Sequence, residues 1–238
     1  MSWRITNSRS GNTPKAVEYL QLAGQQAVQQ SANAEAISHL TTALELLRTL
    51  PDTPERAQQE LTLQITLGPA LMNTKGYGAP EVEKAYTRAR ELCRQVGETP
   101  QLFRVLWGLW YFYFVRAEFQ TARELGTQCL TLAQRAQDPA LLMEAHFVLQ
   151  GPLFLLGELT PAREHFEQSI ALYGPQQHRA LAFLYGQDPK VTSLSPAALA
   201  LWHLGYPDQA LKSIHDALTL AQELSHPYSL AFALLFAA

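Results

Sequence analysis

Cysteine is scarce in this 238-residue chain: only Cys93 and Cys129 occur, in no CxxC pair and with no histidine three or four residues away. That excludes a disulfide framework and a cysteine-based zinc site, and it suits a reducing cytoplasm. Charge is also thin, at 16% of residues and a net −3 from 18 basic and 21 acidic side chains, with no basic block. A nucleic-acid surface needs clustered lysine and arginine, so none is expected. Strand-type alternation and Asn-Gly hairpin signals are missing, which excludes a β-rich fold. The most apolar run, RVLWGLWYFYFVR at 104–116, falls short of the roughly 20 residues that cross a bilayer. The opening MSWRITNSRSGNT is polar and has no secretory apolar core, and 1–13 is expected to form a flexible leader.

Catalytic patterns are equally thin. SGNTPK at 10–15 lacks the glycine before lysine, and the preceding strand, of a phosphate-binding loop. No two of the seven histidines lie three or four apart, so no helix face offers a pair of histidine ligands; no metal and no cofactor is expected. His39, His165 and His215 stand in polar stretches and are expected to be solvated, whereas His146 suits a core position. Ser193 and Ser195 near His203 suggest a nucleophile and base, but spacing alone supplies no geometry for one. The carboxylate pairs Glu81 with Glu83 and Glu164 with Glu167 belong to solvated helix faces.

What is present is helix, in pairs. From Lys15 onward apolar residues recur at three and four, and similar phrases return at intervals of roughly 40–48 residues. These phrases are NAEAISHLTTALEL, EVEKAYTRAREL, FQTARELGTQCLTL, LTPAREHFEQSIAL and PDQALKSIHDALTL. One column holds Ala36, Val82, Ala122, Ala162 and Ala210; four residues on stand Leu40, Tyr86, Gly126, Phe166 and Ile214; three further on stand Ala43, Ala89, Cys129, Ser169 and Ala217. Small, large, small on one helix face lets a neighbouring helix approach and fills the gap between pairs. Pro51, Pro100, Pro139, Pro175 and Pro227 follow the second helices, and Gly157 and Gly205 occupy turns that call for a positive φ.

These columns resemble the tetratricopeptide repeat, in a version of about 40 residues rather than 34. Gly24 and Gly68 match the glycine of the family's first helix; Trp110, Gln150 and Ala198 replace it later, which implies looser packing there. ALELLRTLPDTPERAQQEL, GPALMNTKGYGAPEVEKAYTRARELC and LALWHLGYPDQAL are similar to the repeat region behind the ATPase module of large bacterial signalling proteins, many with a class III adenylate or guanylate cyclase domain. The resemblance implies an all-α, right-handed α-solenoid of antiparallel helix pairs over 14–238, about five pairs plus a partial sixth. It also implies a non-catalytic, cytoplasmic scaffold for a protein or peptide segment, with the ATPase or cyclase parts outside this chain. An insertion at 176–190 is expected to hold a short helix over His178–Tyr185.

In this family first helices line the inner wall. Leu106, Leu109, Trp110 and Tyr113 then fall between pairs, while Trp107, Tyr111 and Phe114 face a groove continued by Phe147 and Phe154 and by Leu199, Trp202 and His203. The alternatives are an aromatic groove for an apolar segment, a pocket for a small apolar ligand, or rings that are simply core. The family's clamp for a peptide carboxylate is not matched: Glu18, Gln21 and Gln25 stand at those positions in the first pair, and Arg104, Trp107 and Tyr111 in the third. HPYSLAFALLFAA at 226–238 has no second helix to cover it, which implies a fragment or an end-to-end dimer.

Overall fold

The computed structural model describes residues 13–97, 100–174 and 188–237. Most of the leader and the stretch expected to be helical over His178–Tyr185 lie outside them; Thr13 already belongs to the first helix. Among the described residues there are eleven helices and no strand: α1 (Thr13–Gln29), α2 (Asn33–Leu47), α3 (Pro54–Lys75), α4 (Pro80–Val96), α5 (Leu102–Val115), α6 (Phe119–Ala136), α7 (Pro139–Leu155), α8 (Leu159–Leu172), α9 (Pro189–His203), α10 (Pro207–Leu224) and α11 (Pro227–Ala237). Proline occupies the first turn of many of these helices, where its missing N–H costs nothing. No helix among the described residues is long and apolar enough to cross a membrane.

The chain forms two compact units, Met1–Ala117 and Glu118–Ala238. In the first, α1 packs on α2, α2 on α3, α3 on α4 and α4 on α5, with further contacts from α1 to α3 and from α3 to α5. In the second, α6 to α10 follow the same neighbour order, α11 lies against α9 and α10, and α7 touches α9. Within the units, α1, α3, α7 and α9 each meet the second helix that follows and the next first helix, which is the packing of an all-α solenoid of helix pairs.

All three sequence columns are buried. Ala36, Val82, Ala122, Ala162, Leu40, Ala43, Ala89, Cys129 and Ala217 are fully enclosed, Phe166 is nearly so, and Tyr86, Ser169, Ala210 and Ile214 are scarcely exposed. In the first unit Tyr86 acts as a key. A β-carbon placed on Gly68 of α3 or on Gly108 of α5 would come within 2.3 Å of its ring, so the ring fits only because both backbones are bare. Gly24 gives Leu40 the same space. On α5 the close approach to α4 is made at Gly108, two residues before Trp110. In the second unit Ala198 joins Ile214 and Ala217 in one core cluster, and the Gln150 amide donates to Ser193 Oγ at 3.1 Å.

The turns within four of the five pairs share one device, the longer turn between α3 and α4 being the exception. Gly157 and Gly205 take φ of +80° and +84°, and the N–H groups of Glu158 and Tyr206 reach back five residues to the carbonyls of Leu153 and Leu201. Ser31 and Ala117 hold the same left-handed position, with φ of 57° and 61°, despite carrying a β-carbon. Prolines are not confined to helix ends: Pro69, Pro152 and Pro196 stand inside α3, α7 and α9.

Candidate interaction surface

The residues expected to line a groove belong to both units, and each set has its own surroundings. In the first unit Trp107, Tyr111 and Phe114 are half-buried, while Leu106, Leu109 and Trp110 are buried. The rings rest mainly on each other: Trp110 stacks on Phe114 with centroids 5.0 Å apart, and Trp107 lies 5.1 Å from Tyr111. Tyr77, from the long turn after α3, stacks on Tyr111 at 4.3 Å. The stripe drawn from helical spacing misses Tyr77 because it lies off the helix; the tyrosine in the glycine-flanked TKGYGAP was the available signal.

In the second unit the set divides. Phe147 is half-buried, and Phe154 packs against the core formed by Leu149, Leu153, Ala162 and Phe166. Leu199, Trp202 and His203 are exposed, Trp202 to 63%. Tyr206 adds a ring to this end of α9 at 43% exposure, with the Arg163 guanidinium 4.9 Å above it, and Gly205 makes the turn between them. A tryptophan so exposed beside leucine, histidine and a cation-capped tyrosine forms an amphipathic contact surface.

Other chemical groups are occupied within the structure. Ser193 and Ser195 are fully buried; Ser195 Oγ donates to the Val191 carbonyl at 2.8 Å, and Ser193 shares hydrogen bonds with Gln150 and Ser169. Neither hydroxyl meets the exposed His203, so the serine-histidine pairing is excluded by geometry. Cys129 is buried and its thiol is pushed up to about 12, first by burial and then by the Glu144 charge. Among the described residues no three His, Cys, Asp or Glu side chains converge on a metal-sized site.

One pairing was invisible in sequence. His165, expected to be solvated, is half-buried against His146 on α7, with the two Nδ1 atoms 2.8 Å apart. Burial holds His146 below the ordinary imidazole value; burial and then the His146 charge bring His165 to about 4. Both rings are therefore neutral near pH 7, one donating to the other. Glu60 is likewise drawn inward, accepting Nε and Nη2 of Arg88 at 2.7 and 3.1 Å across α3 and α4. Glu81 pairs with Lys75, and Glu167 with Arg163 at 2.7 Å.

The fold and its buried columns define a helical repeat of the tetratricopeptide kind. No family model matches the chain. By structure it is similar to the apo form of RapI, with a TM-score of 0.76 at 15% identity over 91% of this chain and 74% of that one. A Rap protein complexed with competence and sporulation factor matches 95% of this chain and 61% of its own, with a TM-score of 0.68 at 14% identity. A Signal Transduction ATPase with Numerous Domains (STAND) protein with a tetratricopeptide repeat sensor, from Pyrococcus horikoshii, matches 95% of this chain and 32% of its own, with a TM-score of 0.65 at 13% identity. In sequence, an uncharacterized protein of Rhizobium meliloti (strain 1021) is 24% identical over 229 residues, 95% of this chain; the chain spans 22% of that relative's length.

Proposed function

We propose that this chain is a non-catalytic protein-interaction and regulatory module of a larger cytoplasmic signalling protein linked to an ATPase or a cyclase. The observation that carries this is Trp202, 63% exposed beside Leu199, His203 and Tyr206 on a helical repeat whose Ser193, Ser195 and two thiols are committed to its core. Exposed aromatic anchors on a rigid helix suit an apolar polypeptide segment. A Rap protein in complex with a factor, a STAND protein with a repeat sensor and a much longer bacterial relative support the reading by analogy. Partner binding at this surface would bias the attached module through the repeats.

The test is a binding screen of capped, dye-labelled amphipathic peptides read by fluorescence anisotropy of the label. Trp202→Ala is expected to weaken the best hit at least tenfold with unchanged circular dichroism; full affinity in that variant would remove this surface from the function. Turnover of ATP or GTP by the purified chain would overturn the non-catalytic reading.

A second reading, a sensor of a small apolar ligand, draws on the half-buried rings of Tyr77, Trp107, Tyr111 and Phe114 in the first unit. Trp107→Ala and Phe114→Ala should then lower the affinity for an apolar dye; binding identical to the parent's counts against it. End-to-end association through 226–238 is also proposed, because Tyr228, Leu234 and Leu235 are exposed at 50%, 53% and 72%. Sedimentation of Leu235→Lys should show a monomer at concentrations where the parent associates.

A further inference from the structure

The turn that joins α3 to α4 is built differently from the other turns within pairs. Gly76 to Ala79 form a four-residue turn closed by the Ala79 N–H, which donates to the Gly76 carbonyl at 3.2 Å, with Tyr77 at its first corner. Gly76 takes a φ of +90°, and a β-carbon placed on it would meet no atom within 4 Å, so the chain leaves α3 through open space. The far side of the turn rests on the end of α5: a β-carbon on Gly78 would lie 3.4 Å from Val115 Cγ2 and 3.6 Å from Arg116 Cγ. Across its base runs the Lys75–Glu81 ion pair, with both side chains 44% exposed, and exposed pairs of this kind hold weakly. At the tip, the Tyr77 ring stacks on Tyr111 of α5 with centroids 4.3 Å apart and planes 24° from parallel. Trp107 and Trp110 meet Tyr111 at 5.1 and 5.2 Å in tilted and edge-on arrangements. Tyr111 thus offers a flat face with indole rings beside it, and the ring seated on that face comes from a turn, not from a neighbouring helix.

We propose that Tyr77 is an internal stand-in for a free planar aromatic ligand of one or two fused rings, which takes its place on Tyr111 and releases the turn between α3 and α4. The proposal rests on the small-ligand reading and changes the part of Tyr77 in it, from a wall of the site to its competitor. The chain itself shows what the seat takes, a flat ring laid nearly parallel; a saturated ring of similar size has no π face to stack. Ligand and Tyr77 use one face, so the apparent affinity is the intrinsic affinity reduced by the fraction of molecules whose turn stands open. A single aromatic stack lowers it by roughly two- to tenfold. Release of Tyr77 removes one tie between the turn of the second pair and α5, which is how occupancy of the seat reaches the packing of neighbouring pairs.

The test follows the ring signals of Tyr77 and Tyr111 in the full chain labelled with ¹³C-tyrosine, assigned through Tyr77→Phe and Tyr111→Phe. The probes are 2-naphthol, its saturated counterpart cyclohexylmethanol, and acetyl-Ala-Leu-Phe-Leu-Ala-amide. 2-Naphthol is expected to shift Tyr111 and to move the Tyr77 signals to the positions of an unstacked tyrosine, with cyclohexylmethanol at least tenfold weaker. In Tyr77→Ala, half-saturation by 2-naphthol is expected to fall two- to tenfold, with unchanged circular dichroism. Tyr77 signals that stay in place when the ligand saturates overturn the exchange even if that variant fails to fold. Weaker binding by Tyr77→Ala overturns it too, because the tyrosine is then a wall. Equal binding by parent and Tyr77→Ala, with loss in Trp107→Ala, overturns the exchange and leaves the small-ligand reading standing. Equal binding by all three, or no response to 2-naphthol, removes both. Saturation by the phenylalanine peptide at lower concentration than 2-naphthol overturns the free ligand as the source of the ring.

Discussion

At the scale of single residues, two features give sharp expectations. Tyr86 is held between Gly68 and Gly108 with no space for a methyl group on either. Gly108→Ala should therefore cost about 1–3 kcal/mol by overpacking, and Tyr86→Leu, which withdraws the ring, should recover part of that loss in the double variant. Urea unfolding of the four proteins measures the coupling, and strict additivity would show that the ring moves aside freely. The His146–His165 pair gives a pH dependence. Both rings titrate below the ordinary 6.5 when folded, His165 near 4, so the unfolded chain binds more protons in this window. Stability from the pair is complete above about pH 6.5 and is lost as pH falls toward 4, by about 1 kcal/mol after discounting for solvent around the half-exposed rings. A urea midpoint that falls less between pH 7 and 4.5 in His165→Gln than in the parent checks this. Neither contact can be read from the chain: the histidines are 19 residues apart and Glu60 is 28 from Arg88, and only the register between helices joins them.

At the scale of helices and turns, the sequence was more open. Column spacing located the pairs because burial repeats along a helix face, and the glycines at 157 and 205 marked turns whose φ is positive. Ser31 and Ala117 take the same backbone without glycine, so no residue type advertised them. Ala117→Gly should relieve left-handed strain and raise stability by about 0.5–1 kcal/mol, measured as a higher thermal midpoint; a lower midpoint would mean that Gly entropy outweighs the strain. The start of α9 carries another expectation. Asp188 is fully buried, its Oδ1 accepting N–H groups of Lys190 and Val191 at 3.0 Å and its Oδ2 the Tyr173 hydroxyl at 2.7 Å. Asp188→Ala removes a cap and orphans that hydroxyl, a loss of about 2–4 kcal/mol, whereas Tyr173→Phe should cost only about 1 kcal/mol. Comparable losses from the two would remove the aspartate's double role. Pro69, Pro152 and Pro196 mislead a reader of helix ends, because tertiary packing carries α3, α7 and α9 through them.

For the molecule as a whole, fold class was legible and the surface was not. Small-large-small columns depend on contacts that every repeat makes alike, so sequence periodicity reports them directly. Exposure of a particular ring depends on what its neighbours happen to be: Phe154 turns into a core while Trp202, on the same drawn stripe, stands in solvent. That contrast has an optical consequence. Trp107 and Trp110 sit among other rings in one unit and Trp202 stands alone in the other, so a dissolved quencher such as iodide reaches Trp202 first. With Trp3 replaced by phenylalanine, the quenchable and the sheltered fractions of the emission become separate channels, and the protein carries its own reporter of which unit a ligand has touched.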